Sequence, residues 1–300
     1  MRLGDEEIEN LQIQMVREIR AQFVKMGYLS NNHDGRICIG LSGGVDSTLI
    51  ALVAHHLGLK VHAISYERSG YPNPDFTQAK KTSKIMGWKF HGIKLRKRNP
   101  SRVFIEMTQK YGCSRKTEIE CLYPYISIFD KASNLGFDKL MVGFNTTPDG
   151  RKDSIAIRKD PKKYWSDIVS RADTYRLAPS NKTPRISYAC SKLYQVGKEK
   201  GIRVVAPMFG KKYNQIFLDR SLTPSEMNRP YQKSFLKNCF PEEFQLLGMT
   251  RTKNLNLQKG GGMTEFFEPI IHDPKINVHG YKTSDVTKCL VKLAEFWAKV

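Results

Sequence analysis

The 300-residue sequence contains six cysteines, Cys38, Cys113, Cys121, Cys190, Cys239 and Cys289, but no C-x-x-C pair. Zinc ribbons and thioredoxin-type sites need that spacing, so neither is supported. Cysteines scattered this way read as buried thiols of a reducing compartment. No run of about 18 apolar residues is present, so no membrane span is expected. The opening stretch MRLGDEEIENLQ lacks an apolar core, so no secretory signal is expected, and a cytoplasmic location is the default. There is no internal repeat, and the seven histidines show no zinc-ligand spacing. Acid is also scarce: 29 Asp plus Glu stand against 49 Lys plus Arg, a formal net charge of +20. Such an excess favours polyanionic partners, namely nucleotides, nucleic acid or acidic surfaces, or else serves only as a solvated basic face.

Apolar residues make up 40% of the chain, enough for a sizeable core. Ile8, Leu11, Met15, Ile19 and Phe23 recur at helical spacing and predict an amphipathic helix over 5–26, with Asp5 a plausible cap. The apolar run Ile37 to Leu41 predicts a buried strand. A Gly/Ser loop at 42–47, a helix at 48–57 and a second strand from Val61 to Tyr66 follow. Strand, loop, helix and strand in that order form a βαβ unit and hence a parallel sheet. The alternation continues with a helix at 75–87, a strand at 88–95, a helix at 122–135 and a strand at 138–144. Beyond residue 150 the pattern changes. Residues 151–185 are charged and contain Pro161, Pro179 and Pro184, helices are predicted at 187–200 and 225–239, and Gly260–Gly262 reads as a flexible point. A final amphipathic helix carries Val286, Leu290, Leu293, Phe296 and Trp297 on one face. The expected architecture is α/β, a parallel twisted sheet with flanking helices (residues 1–150), followed by a mostly helical part (residues 151–300) that completes an acceptor site.

The loop Ser42-Gly43-Gly44-Val45-Asp46-Ser47-Thr48, between a predicted strand and a predicted helix, carries the chemistry. Two glycines permit a tight turn and a close approach to a ligand. Successive backbone N–H groups and the helix N-terminus make an anion cradle. The hydroxyls of Ser42, Ser47 and Thr48 can donate to phosphate oxygens. Asp46 would repel phosphate by itself and makes sense as a ligand of Mg²⁺ held against it. The Walker spacing is absent.

This loop resembles the S-G-G-x-D-S signature of the pyrophosphatase-loop ATPases, which cleave ATP between the α and β phosphates. The resemblance implies ATP and Mg²⁺ as cofactors and Leu41, Ser42, Gly43, Gly44, Val45, Asp46, Ser47 and Thr48 as the nucleotide loop. Chain order is most similar to the synthetase domain of asparagine synthetase-like enzymes: ICIGLSGGVDS, then VHAISYE, then PDFTQAKKTSKIMG and WKFHGIKL. By that likeness Ile64, Ser65 and Tyr66 border the adenine. Further on, Pro207, Met208 and Phe209 stand where the family has P-F-L, and Lys233, Leu236 and Lys237 fill its K-x-x-L-[RK] positions. A cation at Lys233 would neutralise charge building on the α and β phosphates. Gly143 matches the first glycine of the family's G-x-G-x-D-E element, but the D-E pair is missing; Asp149, two positions late, is the candidate second Mg²⁺ ligand. The same loop resembles the G-x-N-x-x-D loop of relatives that modify tRNA bases. The family's amide-forming members often begin with a catalytic Cys at position 2, whereas this chain begins Met1-Arg2 and reaches its loop by residue 42. Nitrogen, if transferred, would then come from ammonia, an amine or a separate subunit.

These observations imply an ATP pyrophosphatase that adenylates a carboxylate or carbonyl oxygen and lets a nitrogen nucleophile displace AMP. The alternatives are a base-modifying enzyme acting on tRNA or DNA, a sulfonucleotide reductase-like enzyme, or a nucleotide-binding protein without turnover. Residues 80–116 carry twelve Lys or Arg and the single acid Glu106, and residues 151–163 add six more cations. Tyr111, Tyr164 and Trp165 lie among them and could stack on bases, which would make this a nucleic-acid face. The plainer reading is a solvated face with the aromatics packed beneath. Cys113 and Cys121 read first as buried thiols and second as a persulfide or disulfide pair for thiolation.

Overall fold

The structure, a computed structural model, describes residues 5–31, 33–144, 157, 159–171, 186–227, 233–250, 260–280 and 286–300. Helix α1 (Asp5–Lys25) leads into strand β1 (Arg36–Gly40), helix α2 (Val45–His56), β2 (Lys60–Arg68), α3 (Pro74–Ile85), β3 (Lys89–Leu95), α4 (Pro100–Gln109), α5 (Lys116–Asn134), β4 (Lys139–Val142) and, after further helices, β5 (Arg203–Val205). The five strands form one sheet in the order β3-β2-β1-β4-β5, and every pairing is parallel. The chain therefore starts in the middle, runs out to β3, then returns to the other side of β1. The reversal lies between β1 and β4, and in open α/β sheets the crevice at that point, beyond the carboxyl ends of the strands, is where ligands bind.

Both faces of the sheet are covered, which is why β1 and β2 read as near-continuous apolar runs rather than alternating ones. On one side pack α1 and α2, with Leu11, Met15, Ile19 and Phe23 of α1 at a strict four-residue interval and fully buried. Helix α2 is apolar nearly all round, because sheet, α1 and the 234–246 region enclose it; Leu49, Ile50 and Leu52 are 0% exposed. Each such side chain contributes about 1.5–3 kcal/mol through burial. On the other side lie α4, α5 and the helices Ile186–Glu199 and Val286–Trp297, meeting around Phe104, Leu122, Phe129 and Leu193. The sheet thus takes its fifth strand and part of its cover from beyond residue 150.

Several elements depart from the expectations. Helix α5 begins six residues early, where Lys116 and the buried Glu120 pair at 2.5 Å and Glu118 accepts from the Ser114 N–H at 2.9 Å. Those local partners offset the burial of two carboxylates in what looks like polar loop. Helix α4 was not anticipated, although its start is signalled: Asn99 accepts from the Arg102 N–H and Pro100 takes the first helical position. Strand β5 has three residues, too few to show a period. Within the helix expected over 225–239 the described residues form two single turns, Pro224–Met227 and Ser234–Lys237. Lys233, with φ of 55°, is in the left-handed region and cannot continue a right-handed helix.

Two of the three aromatics expected on a nucleic-acid face are packed inside, and the third, Tyr164, is half-buried. Trp165 is 0% exposed, lies on the helix Pro161–Arg171, stacks on Phe217 at 4.8 Å and donates Nε1–H to the Leu222 carbonyl at 2.9 Å. Tyr111 is also buried. Among the described residues no helix is long and apolar enough to cross a membrane.

Candidate active site

At the end of β1 the Leu41 N–H donates to the Ile64 carbonyl at 2.8 Å, extending the β1–β2 pairing one residue past the strand. The chain then turns. Gly43 has φ of 76°, and a Cβ there would run into the Asp75 carbonyl, so only glycine fits. Gly44 is extended (φ −86°, ψ 165°) and caps α2 without a side-chain hydrogen bond. The first N–H groups of a helix have no partner within it, which makes its N-terminus a ready anion site.

The hydroxyls expected to meet phosphate brace the loop instead. Thr48 Oγ1 donates to the Gly44 carbonyl at 2.8 Å and Ser47 Oγ to the same carbonyl at 3.3 Å; both residues are buried. The Ser42 N–H donates to Ser47 Oγ at 3.1 Å, and the Ser42 hydroxyl, half-buried, lies 3.0 Å from it. In this arrangement the cradle is made of backbone, and the serine and threonine side chains hold its shape. Val45 is fully buried beneath it. Gly143, at the end of β4, presses on the same turn. A Cβ at Gly143 would lie 2.5 Å from the Ser47 nitrogen, so β4 can approach α2 only with glycine there.

Lys233 reaches this loop from 187 residues away, its Nζ 2.5 Å from Asp46 Oδ2. Both side chains are largely enclosed, at 9% and 18% exposure. Four residues on, Lys237 is buried and donates to the Thr250 carbonyl at 3.0 Å. Burial, and then the neighbouring Lys233 ammonium, pull its pKa below the ordinary lysine value. Leu236 between them belongs to the core, as do Pro207, Met208 and Phe209, which form a buried 3₁₀ turn. Asp149, the other candidate metal ligand, lies outside the described residues. Among those described, no group of three or more His, Cys, Asp or Glu could hold a metal ion.

Beside the loop is a small cleft, partly open to solvent. Its lining includes Leu41, Ser42, Ile64, Ser65, Tyr66 and Asp75. The three residues expected to border adenine are thus brought to the loop's edge by the β1–β2 register. Tyr66 is buried, and burial pushes its phenol well above the usual range, so it stays protonated.

Two features of this pocket were not read from the sequence. Asn73 latches it: its amide donates to the Tyr66 carbonyl at 2.9 Å, while its Oδ1 accepts from the Phe76 N–H at 3.0 Å and caps α3. The triplet Asn73-Pro74-Asp75 is a recognisable helix start that could have revealed it. The other is Asp75, which burial pushes up to about 7. Gly260–Gly262, expected as a flexible point, is a packed wall. A Cβ at Gly260 would overlap the Asp75 carboxylate, and Gly262 lies against the Tyr71 ring.

Cys113 is fully buried and Cys121 nearly so. Burial pushes the Cys113 thiol up, away from the thiolate that sulfur transfer requires.

Residues 30–114 match the asparagine synthase family. No curated protein matches the chain. Among solved structures, a predicted subunit of tRNA methyltransferase from Methanocaldococcus jannaschii is 18% identical with a TM-score of 0.33, the match covering 69% of this chain and 93% of the other. The U34-tRNA thiolase NcsA from Methanococcus maripaludis, with its [4Fe-4S] cluster, is 15% identical with a TM-score of 0.40, covering 97% and 80%. Neither superposes closely enough to bear on the site. The stretch running from just before β1 to just past α4, with the Ser42–Ser47 loop in its first third, is where this chain matches the asparagine synthase family of pyrophosphatase-loop ATPases.

Proposed function

We propose that the protein cleaves ATP between the α and β phosphates and transfers AMP to an acceptor oxygen. The observation that carries this reading is the Ser42–Ser47 loop at the sheet's reversal point, with Lys233 closed onto Asp46. In the first step an acceptor carboxylate or carbonyl oxygen attacks the α phosphorus. The bond from that phosphorus to the bridging oxygen breaks, and pyrophosphate leaves with the electron pair. In the second, a nitrogen nucleophile adds to the activated carbon, AMP departs, and the nucleophile gives up a proton. The backbone N–H groups of the loop and the first turn of α2 hold the departing phosphates. Lys233 offsets charge growing between the α and β positions, where an ammonium in an enclosed site is worth far more than in water. The enzyme's contribution is positioning and charge neutralisation.

Mg²⁺ suits the donor chemistry on one side only. It takes one or two carboxylates and fills its octahedron with phosphate oxygens and water. Asp46, the largely enclosed carboxylate beside the cradle that also meets Lys233, would hold it, with Asp149 the proposed second ligand. Bound with ATP, the ion supplies neutralisation of the phosphate charge. Residues 1–150 would make most of the nucleotide side, with Lys233 reaching it from beyond, and the rest of residues 151–300 would complete the acceptor side.

A second reading, an acceptor that is a base within a nucleic acid, draws on the net charge of +20. Arg96, Lys97 and Arg98 in the loop after β3 are exposed. The test is to incubate α-labelled ATP and Mg²⁺ with the protein, adding ammonia, aspartate, bulk tRNA or DNA in turn. AMP and pyrophosphate, lost in Asp46→Ala, are expected, and the additive that stimulates them names the acceptor class. ADP and phosphate as products would sink the reading.

A further inference from the structure

A second hollow lies on the other flank of α5 from the nucleotide cleft. Tyr125 and Ile128 of that helix line the cleft, while Ile126, Ser127 and Lys131 line a groove between α5 and β3, the edge strand of the sheet. The groove holds about 690 Å³, within the range of ligand-binding clefts, about 300–1,000 Å³. One wall carries Lys94, Arg96 and Arg98 at every second residue along β3 and the loop after it, and the other carries Lys131. The two acids of its lining are already neutralised, Glu106 by Arg98 at 2.7 Å and Asp130 by Lys200 at 2.5 Å. Lys94, Arg96 and Lys131 have no ion pair among the described residues. Like charges gathered on a concave surface raise its potential and draw in a polyanion. The strand register sets Ile93 beside Tyr66, so the groove lies one strand away from the cleft.

We propose that this groove holds the sugar-phosphate backbone of a single-stranded nucleic acid. The proposal rests on the second reading above, an acceptor base within a nucleic acid, and gives that acceptor a track beside the nucleotide cleft. A single strand presents one negative charge per nucleotide in a row, and cations on both walls meet such a row. Ser127 and Asn134 add uncharged side chains of the kind that bond to phosphate and sugar oxygens. The aromatic of the lining, Tyr123, is buried and stacks on Phe266 at 5.5 Å, so its ring is not offered to a base. Contact is therefore with the backbone and independent of sequence. The groove is walled by a strand and a helix, which suits one extended chain; a duplex carries its phosphates on a convex surface and would touch only the rim. An acidic peptide fits less well: side chains of an extended peptide alternate between two faces, so only every second carboxylate would meet the cations.

Fluorescence anisotropy of labelled oligothymidylate and oligouridylate, titrated with the full chain over a range of salt, tests this. The groove variant combines Lys94→Ala, Arg96→Ala and Lys131→Ala. The control combines Arg17→Ala, Arg20→Ala and Lys25→Ala, exposed cations of α1 on the opposite face of the sheet, and removes the same charge. For single strands the slope of log affinity against log salt changes by about 0.7 per phosphate contact, so the groove variant should flatten it by about 2 and weaken binding roughly tenfold to a hundredfold at low salt. The control should stay near the wild type, and ATP affinity should be the same in all three proteins, because none of the six residues lines the nucleotide cleft. Binding of either oligonucleotide in this pattern supports the groove, and the tighter of the two names RNA or DNA as its source. Equal losses in the groove and control variants would show diffuse attraction by net charge and overturn the proposal. So would a wild type that binds neither oligonucleotide, or polyglutamate of matched length that binds as tightly and depends on the same three cations. AMP release, followed in parallel, separates the two readings: groove binding that does not stimulate it leaves the groove standing and removes nucleic acid as the acceptor.

Discussion

Asp46 and Asp75 occupy equivalent places in two successive βα units. Each is the second residue of the helix that follows a parallel strand, α2 after β1 and α3 after β2. Position alone would treat them alike, since the N-terminus of a helix stabilises a carboxylate. Their surroundings separate them. Asp46 has the Lys233 ammonium at 2.5 Å, whereas Asp75 has an apolar pocket and a glycine wall and is pushed up to about 7. Partner and solvent, rather than place in the motif, set the two carboxylates apart. Sites that need both an ion and a neutral hydrogen-bonding acid arise in this way.

The largest expected effect comes from breaking the charged member. Lys233→Ala should lower the rate of AMP formation about 10²- to 10³-fold, mostly in kcat, as loss of a transition-state charge contact does; rapid-quench assays with labelled ATP would show it, and an unchanged kcat would remove Lys233 from the chemistry. Asp46→Asn, which leaves an enclosed ammonium without its counter-charge, should cost up to about 3 kcal/mol in urea denaturation. Because the two side chains form one pair, Asp46→Asn and Lys233→Met together should cost less than the sum of the singles, and additive costs would show that the contact contributes nothing.

Gly143→Ala sharpens the comparison from the sheet side. Its Cβ meets the Ser47 nitrogen, so a shift of the Asp46 turn and a loss of about 1–3 kcal/mol are expected. Equilibrium unfolding and ATP titration together should register both.

The neutral member has its own signature in pH. A carboxyl whose pKa rises on folding, from 3.8 to about 7, binds its proton more tightly in the native state. The stability it contributes is complete below about pH 4 and declines as the pH climbs to about 7. Asp75→Asn cannot titrate, so the wild type should lose urea midpoint relative to that variant between pH 5 and pH 8; parallel midpoints would show Asp75 to be ionised throughout. The smallest effect is expected at Arg96 and Lys97. Replacing both with alanine should leave ATP turnover unaltered and, if the acceptor is nucleic acid, reduce the salt dependence of its binding by about one charge per residue. An unaffected salt slope would remove that stretch from any nucleic-acid contact.

Much of the loop's geometry was legible because its cause is local. Glycines at 43 and 44, a strand before and a helix after are all written within a dozen residues. Lys233 was visible only as part of a spaced pattern, and the same residue hid the break in the helix expected around it, since a left-handed lysine leaves no compositional trace. Asp75 was not legible at all as a site residue. What sets it apart is the absence of a counter-charge and the approach of Gly260, 185 positions later, and neither is encoded near residue 75. Strand β5 escaped for a plainer reason: three residues are too few to show alternation or a run.

The scatter of these contributors along the chain has a consequence for biosynthesis. Residue 42 begins the cradle, residue 143 backs it, residue 233 neutralises it and residues 260–262 wall its neighbour. A ribosome that has released the whole β1–α4 segment has therefore made a recognisable loop without its cation or its lid. Nucleotide affinity should appear only after residue 262 has emerged, so ATP would act as a check on the folded pocket rather than a template for its first steps.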